Sequence, residues 1–179
     1  ILTEKDFCDF RLPQIKTRTL DIQFIMDRIN ENAKQDPSSI WGRIDLNRIG
    51  VFGHSYGGAT SVMVSHIDDR VDACLSLDGW NVPIPQNIIN TGLDIPFLYI
   101  GRPHWDTSLN YEKLDTLLSR NKLLSTKLIL DNTTHFDYSD VPHISSITKQ
   151  IGLSGGIESQ KILSKLNDEV LMFFNKNLK

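Results

Sequence analysis

Apolar residues in this chain fall into short solid runs, separated by stretches where they recur every three or four positions. Solid runs bounded by turn residues mark strands buried on both faces, and recurrence at three and four marks helices with one apolar face. From Thr17 onward, Ile22, Ile25, Met26 and Ile29 recur at helical spacing, which predicts an amphipathic helix ending before Asp36-Pro37. Leu12 to Ile15, interrupted by Pro13, reads as a loop, and Asp36 to Gly42 as a polar connector. Arg48-Ile49-Gly50-Val51-Phe52 is a buried strand, Gly53 to Gly58 a sharp turn, and Ala59 to Ser65 a helix of small and apolar residues. Val71 to Leu77, Pro96 to Ile100 and Lys127 to Leu130 are three further strands. Leu114, Leu117 and Leu118 mark a helix before the last of them. Ile162, Leu166, Val170, Phe173 and Phe174 share one face of a closing helix from Ser159 to Leu178. Strand and helix alternate throughout. That predicts one α/β domain over residues 1–179, with a mainly parallel sheet, right-handed crossovers and flanking helices.

Composition narrows the function without choosing it. The 179 residues are 40% hydrophobic and 23% charged, ordinary for a globular domain. The net charge of −3 gives no electrostatic reason to expect a nucleic-acid partner, which needs clustered Lys and Arg in excess. No apolar run approaches the length of a bilayer span; contact with a lipid surface stays compatible with the sequence. The two cysteines, Cys8 and Cys74, are far apart, and Cys74 lies in a strand-like stretch that suits a buried free thiol.

Chemistry enters at Gly53-His54-Ser55-Tyr56-Gly57-Gly58, between a predicted strand and a predicted helix. This is the G-x-S-x-G nucleophile elbow in the context the motif requires, and it points to an α/β-hydrolase fold. A serine on so tight a turn has strained backbone angles, and side chains two residues to either side would collide with their surroundings. Glycine at 53 and 57 is expected to remove those collisions and leave the Ser55 hydroxyl exposed above the sheet. The helix that follows brings the positive end of its dipole to the place where an oxyanion forms, with the Tyr56 backbone N–H as first donor.

A serine hydroxyl needs a base. In this fold the base comes last in chain order, and His135 fits, one short loop after the strand Lys127 to Leu130. His54, His66, His104 and His143 compete less well by position. The carboxylate that orients the imidazole is open between two residues. Asp78 ends the strand Val71 to Leu77; Asp106 follows the strand Pro96 to Ile100, where general topology favours the acid.

Several stretches resemble the platelet-activating factor acetylhydrolase family, plasma and type II enzymes with their microbial relatives. They are Ile44 through Thr60, which includes the elbow; Leu77-Asp78-Gly79-Trp80; His135 through Asp140; and Gly156-Ile157-Glu158. In that family the aspartate of the Leu-Asp-Gly-Trp motif completes the triad, so the resemblance favours Asp78 over Asp106. It implies a serine ester hydrolase acting without cofactor or metal on simple esters, or on short or oxidised sn-2 acyl groups of phospholipids. Dienelactone hydrolases and cutinase-like esterases share the architecture. The sheet of such enzymes has about eight strands, and the second oxyanion donor follows an early strand. Only four strands are found here, starting with the elbow strand. The chain is therefore expected to be the C-terminal part of a larger fold, with an apolar sheet edge for the N-terminal half to cover.

The loop Asn81 to Leu93, with Val82, Ile84, Ile88 and Ile89, either lines an acyl pocket or packs as a surface loop. His135, Asp137, Asp140 and His143 lie in one loop, but their spacing suits a solvated loop better than a metal site. Asn132-Thr133-Thr134 is a glycosylation sequon read as unused, because a glycan there would obstruct His135. Nucleotide binding fails for want of a P-loop lysine or G-x-G-x-x-G spacing. A non-catalytic interaction module and an acyltransferase are the functional rivals.

Overall fold

The computed structural model describes residues 4–105, 107–144 and 147–178, with side chains from residue 9 onward. Four strands form one parallel sheet in the order β1-β2-β3-β4: β1 (Ile49–His54), β2 (Val71–Leu77), β3 (Phe97–Gly101) and β4 (Ser125–Ile129). The helices are α1 (Glu4–Gln35), α2 (Tyr56–Ile67), α3 (Gln86–Thr91), α4 (Leu109–Arg120), the one-turn α5 (Val141–Ile144) and α6 (Ile147–Gln150), and α7 (Ser159–Asn177). Short 3-10 turns occur at Trp41–Arg43 and His135–Tyr138. The mainly parallel α/β sheet with flanking helices expected from the alternation is the one observed.

Burial along each strand reports its place in the sheet. Every residue of β3 is buried, as is all of β2 except Asp72, whereas β1 and β4 are only half covered. Successive side chains point to opposite faces. Cys74, Phe97 and Tyr99 thus meet Ile15 of α1, Val62 and Met63 of α2, and Leu114 and Leu117 of α4 on one side. Ala73, Leu75, Leu98 and Ile100 meet Ile162, Leu166 and Phe173 of α7 on the other. Burial pushes the free Cys74 thiol up to about 12, so it is an inert core group.

One difference from the sequence reading, and one choice it left open, have plain causes. The segment Leu12 to Ile15 is helical, because α1 runs straight through Pro13. Proline removes one N–H, but the turn before it carries the exposed Asp9 and Phe10, where water can serve the orphaned carbonyl. Ile15, wholly buried against α2, anchors the helix just beyond. Secondly, the apolar residues between Asn81 and Leu93, open in the sequence between an acyl pocket and a packed surface loop, pack into the core. Val82, Ile84, Ile88, Ile89 and Leu93 are buried, and all but Val82 belong to the core cluster under the sheet.

β1 pairs with β2 alone among the described residues, so one edge of the sheet is open there. Phe52 on that strand is 57% exposed, and its ring contacts Phe174 of α7 at 6.0 Å. An apolar sheet edge, as expected from the sequence, is present at Phe52.

Candidate active site

All four strands run the same way, so their C-terminal ends lie along one rim. In open α/β sheets that rim is where ligands bind. Ser55 follows β1, Asp78 follows β2, Arg102 follows β3, and His135 follows β4. The sheet order places the second and third of these between the first and the last.

Ser55 sits at the junction of β1 and α2 with φ 58° and ψ −118°. A non-glycine residue at positive φ costs roughly 1–3 kcal/mol and must be held by its surroundings. Here the Ser55 N–H donates to the Leu77 carbonyl at 2.9 Å, and its own carbonyl accepts the Trp80 N–H at 2.9 Å. The glycines divide the steric work differently from the expectation. A Cβ on Gly53 would come within 2.5 Å of the Gly57 backbone, but one on Gly57 would meet nothing within 4 Å. The second crowded position is Gly58, where a Cβ would fall on Ser76 Oγ and within 2.9 Å of Gly79. Gly58 lets α2 approach the turn after β2.

The Ser55 hydroxyl lies 2.8 Å from His135 Nε2, and His135 Nδ1 lies 2.6 Å from Asp78 Oδ2. With Asp78 accepting from Nδ1–H, Nε2 carries the lone pair that faces Ser55. Asp78 is fully buried and also sits at positive φ, 41°. Its N–H donates to the Ile100 carbonyl, and its Oδ1 accepts the Arg102 N–H at 3.1 Å and the Tyr99 hydroxyl at 3.3 Å. Asn110 of α4, also wholly buried, braces the same turn: it accepts the Asn81 N–H at 2.6 Å and donates to the Gly79 carbonyl at 3.1 Å.

The loop bearing His135 is fixed with comparable care. The Asp137 carboxylate accepts the N–H groups of Thr134 at 2.6 Å and Gly155 at 2.8 Å, and the Thr134 hydroxyl donates to the Leu153 carbonyl. Asp137 is thereby committed to the loop's own backbone, and His143 points to solvent. His54 Nε2 lies 2.9 Å from the His135 carbonyl, with the two rings 4.6 Å apart. Burial first, and the neighbouring His135 second, hold His54 below the usual imidazole range, so it braces the loop as a neutral ring. Tyr56 opens α2, and its N–H has no partner one turn earlier within the helix. It therefore offers a donor at the dipole's positive end beside Ser55.

The structure thus brings Ser55, Tyr56, Asp78 and His135 together; Asp106 lies outside the described residues. His66 faces the Gly92 carbonyl on the underside, and His104 is exposed. The sequence reading missed Tyr99, Arg102, Trp105 and Asn110. The one local signal was Gly101-Arg102-Pro103, a cation between turn residues at the end of a solid apolar run.

A family model described as platelet-activating factor acetylhydrolase, isoform II, matches residues 18–179. Platelet-activating factor acetylhydrolase of Gallus gallus is 26% identical over 149 residues, covering 82% of this chain and 35% of that protein. Cutinase 2 of Thermobifida cellulosilytica is 30% identical over 138 residues, covering 66% of this chain and 48% of that protein. A ferulic acid esterase from Streptomyces cinnamoneus superposes with a TM-score of 0.75 at 27% identity, covering 93% of this chain and 49% of that one. A dienelactone hydrolase-like promiscuous phosphotriesterase from metagenomic libraries, 13% identical with a TM-score of 0.60, shares the fold. The chain spans between a third and a half of the length of these curated relatives.

Proposed function

The chain belongs to the platelet-activating factor acetylhydrolase, isoform II, family, and on that footing we propose that it is the catalytic part of a serine ester hydrolase. The observation that carries the reading is the continuous relay from the Ser55 hydroxyl through His135 to the buried Asp78. His135 Nε2 takes the Ser55 proton as the oxygen attacks the ester carbonyl, and Asp78 stabilises the imidazolium that results. The carbonyl oxygen, now negative, receives the Tyr56 N–H. His135 then returns the proton to the departing alcohol, leaving an acyl group on Ser55. Water, deprotonated by the same imidazole, attacks that acyl-enzyme, and the carboxylic acid leaves.

The second oxyanion donor belongs to the part of the fold that would lie against the open edge of β1. The chain is read as the C-terminal portion of one hydrolase domain whose other half covers Phe52 and its neighbours. As substrates we propose carboxylic esters with short acyl groups, among them short or oxidised sn-2 acyl chains of phospholipids. Similarity to acetylhydrolases supports the acyl length, and similarity to a cutinase and a ferulic acid esterase supports acceptance of simple esters.

Turnover of p-nitrophenyl acetate, with capture of a fluorophosphonate probe, tests the reading in the intact protein. The expected result is turnover and a covalent adduct at Ser55, both lost in S55A. A folded wild-type protein that neither turns over ester nor takes up the probe points to an interaction module. Acyl transfer to an added alcohol in preference to water points to a transferase.

A further inference from the structure

The ends of β1, β2 and β4 supply the nucleophile, the acid and the base. What the end of β3 supplies is a cation. The Arg102 backbone N–H donates to Asp78 Oδ1 at 3.1 Å, and its guanidinium Nε faces Oδ2 at 3.3 Å. The approach of Nε is charge against charge, off the hydrogen-bond direction, since no aligned acceptor meets that nitrogen. The side chain is 18% exposed and the carboxylate wholly buried. The guanidinium lies 4.5 Å over the Trp105 ring, and that ring meets the His135 ring edge-on at 5.2 Å. The Tyr111 hydroxyl donates to the Arg102 carbonyl, while Trp105 Nε1–H donates to the Tyr99 hydroxyl that serves Asp78 Oδ1. An exposed ion pair contributes little, but a pair enclosed by this many contacts acts at low dielectric.

We propose that Arg102 is a positioning residue for ester hydrolysis: with its N–H and its charge it holds the buried Asp78 carboxylate aligned, so that His135 presents Nε2 to Ser55. The inference rests on the esterase reading above. The other groups facing the carboxylate bring no charge of this sign. Tyr99 of β3 and Tyr111 of α4 are raised by burial above all, Tyr111 to about 12 and Tyr99 beyond, so both are neutral phenols. His54 of β1 is held neutral by burial and by His135. Among the described residues around Asp78, Arg102 is the counter-charge. Its removal takes a formal positive charge from beside the Asp78–His135 pair.

The test uses the intact protein and the variants R102Q and R102K, with S55A as the blank. In R102Q, kcat for p-nitrophenyl acetate should fall roughly tenfold or more with KM little changed. The acid limb of its kcat/KM profile should move up by about one pH unit. R102K keeps the charge and should return the limb to the wild-type position. The downfield proton signal of the His135–Asp78 hydrogen bond should shift in R102Q and hold in R102K. An unmoved limb and signal in R102Q, or the same displacement in R102K, overturns the proposal. If R102Q does not fold, R102K decides by the same two readouts. If the wild type turns over no ester, the esterase reading fails; the proton signal, which needs no substrate, still tests Arg102.

Discussion

The Trp80 N–H donates to the Ser55 carbonyl at 2.9 Å. Through that bond the turn carrying Ser55, the proposed nucleophile, holds the turn carrying Asp78, the proposed acid, and both residues sit at positive φ. Neither strained conformation persists alone.

Removing the Ser55 hydroxyl leaves His135 with nothing to activate. S55A should lower turnover of p-nitrophenyl acetate by about four orders of magnitude or more, with the melting transition preserved. Steady-state kinetics on freshly purified protein reads this directly, and near-normal activity would remove Ser55 from the reaction.

Asp78 accepts the His135 Nδ1–H, so an amide at that position disturbs the tautomer without removing volume. D78N should cost roughly 10³ to 10⁴ in kcat, whereas D106N should stay within about twofold of wild type. The reverse pattern would transfer the acid's role to the loop after β3.

Two adjacent glycines should behave differently. G58A drives a methyl group against Ser76 Oγ and the Gly79 backbone and should destabilise by about 1–3 kcal/mol. G57A meets open space and should change stability by no more than about 0.5 kcal/mol. Chemical denaturation of the two variants side by side measures the contrast.

Replacing Asn110 with Leu leaves the buried Asn81 N–H without an acceptor and the Gly79 carbonyl with Asn81 Nδ2–H as its donor. The expected loss is about 1–3 kcal/mol of stability. Because the acid's turn is what loosens, kcat should fall while KM holds. Equal rates for N110L and wild type would show that Trp80 and Ser55 suffice to hold the turn.

A pH effect on stability is expected at Asp68, far from the rim. Hydrogen bonds from Arg70 above all, and from Gln23 of α1, hold its carboxyl well below the usual carboxylate range. Its pKa is lower folded than unfolded, so the contribution is present above the unfolded value of about 4 and fades as pH falls toward the folded one. D68N should cost roughly 1 kcal/mol at neutral pH, discounted for the partly exposed Arg70, and the gap to wild type should narrow below about pH 4. A gap that is constant with pH would mean that packing, not charge, is what the substitution removes.

Much of the fold could be read from the chain because parallel strands buried on both faces must be solid apolar runs. Val71 to Leu77 was predicted and observed with the same ends, and Ser159 onward as a helix lost one residue. Pro13 misled because a helix tolerates proline more readily where the orphaned carbonyl meets water and packing beyond it holds the helix, and both depend on which face meets solvent. Gly57 misled in a similar way: the elbow motif names the position, but the neighbours of a Cβ belong to the packed structure.

By itself the sequence determined the four strands and the main helices between them, and it singled out Ser55 as the candidate nucleophile and His135 as the candidate base, since these depend on local spacing and chain order; α3 and α5 lay in stretches read as loops. It left the acid open between Asp78 and Asp106 until a family resemblance weighed in, and it was silent on Arg102, Tyr99 and Asn110. Only the tertiary structure brought Tyr99 and Arg102 to Asp78 and Asn110 to the turn that follows it, because contacts across the sheet's rim join positions 21 to 31 residues apart. Local periodicity carries no information about a side chain that crosses from one strand end to the next; sheet order and register alone decide which group meets a buried carboxylate.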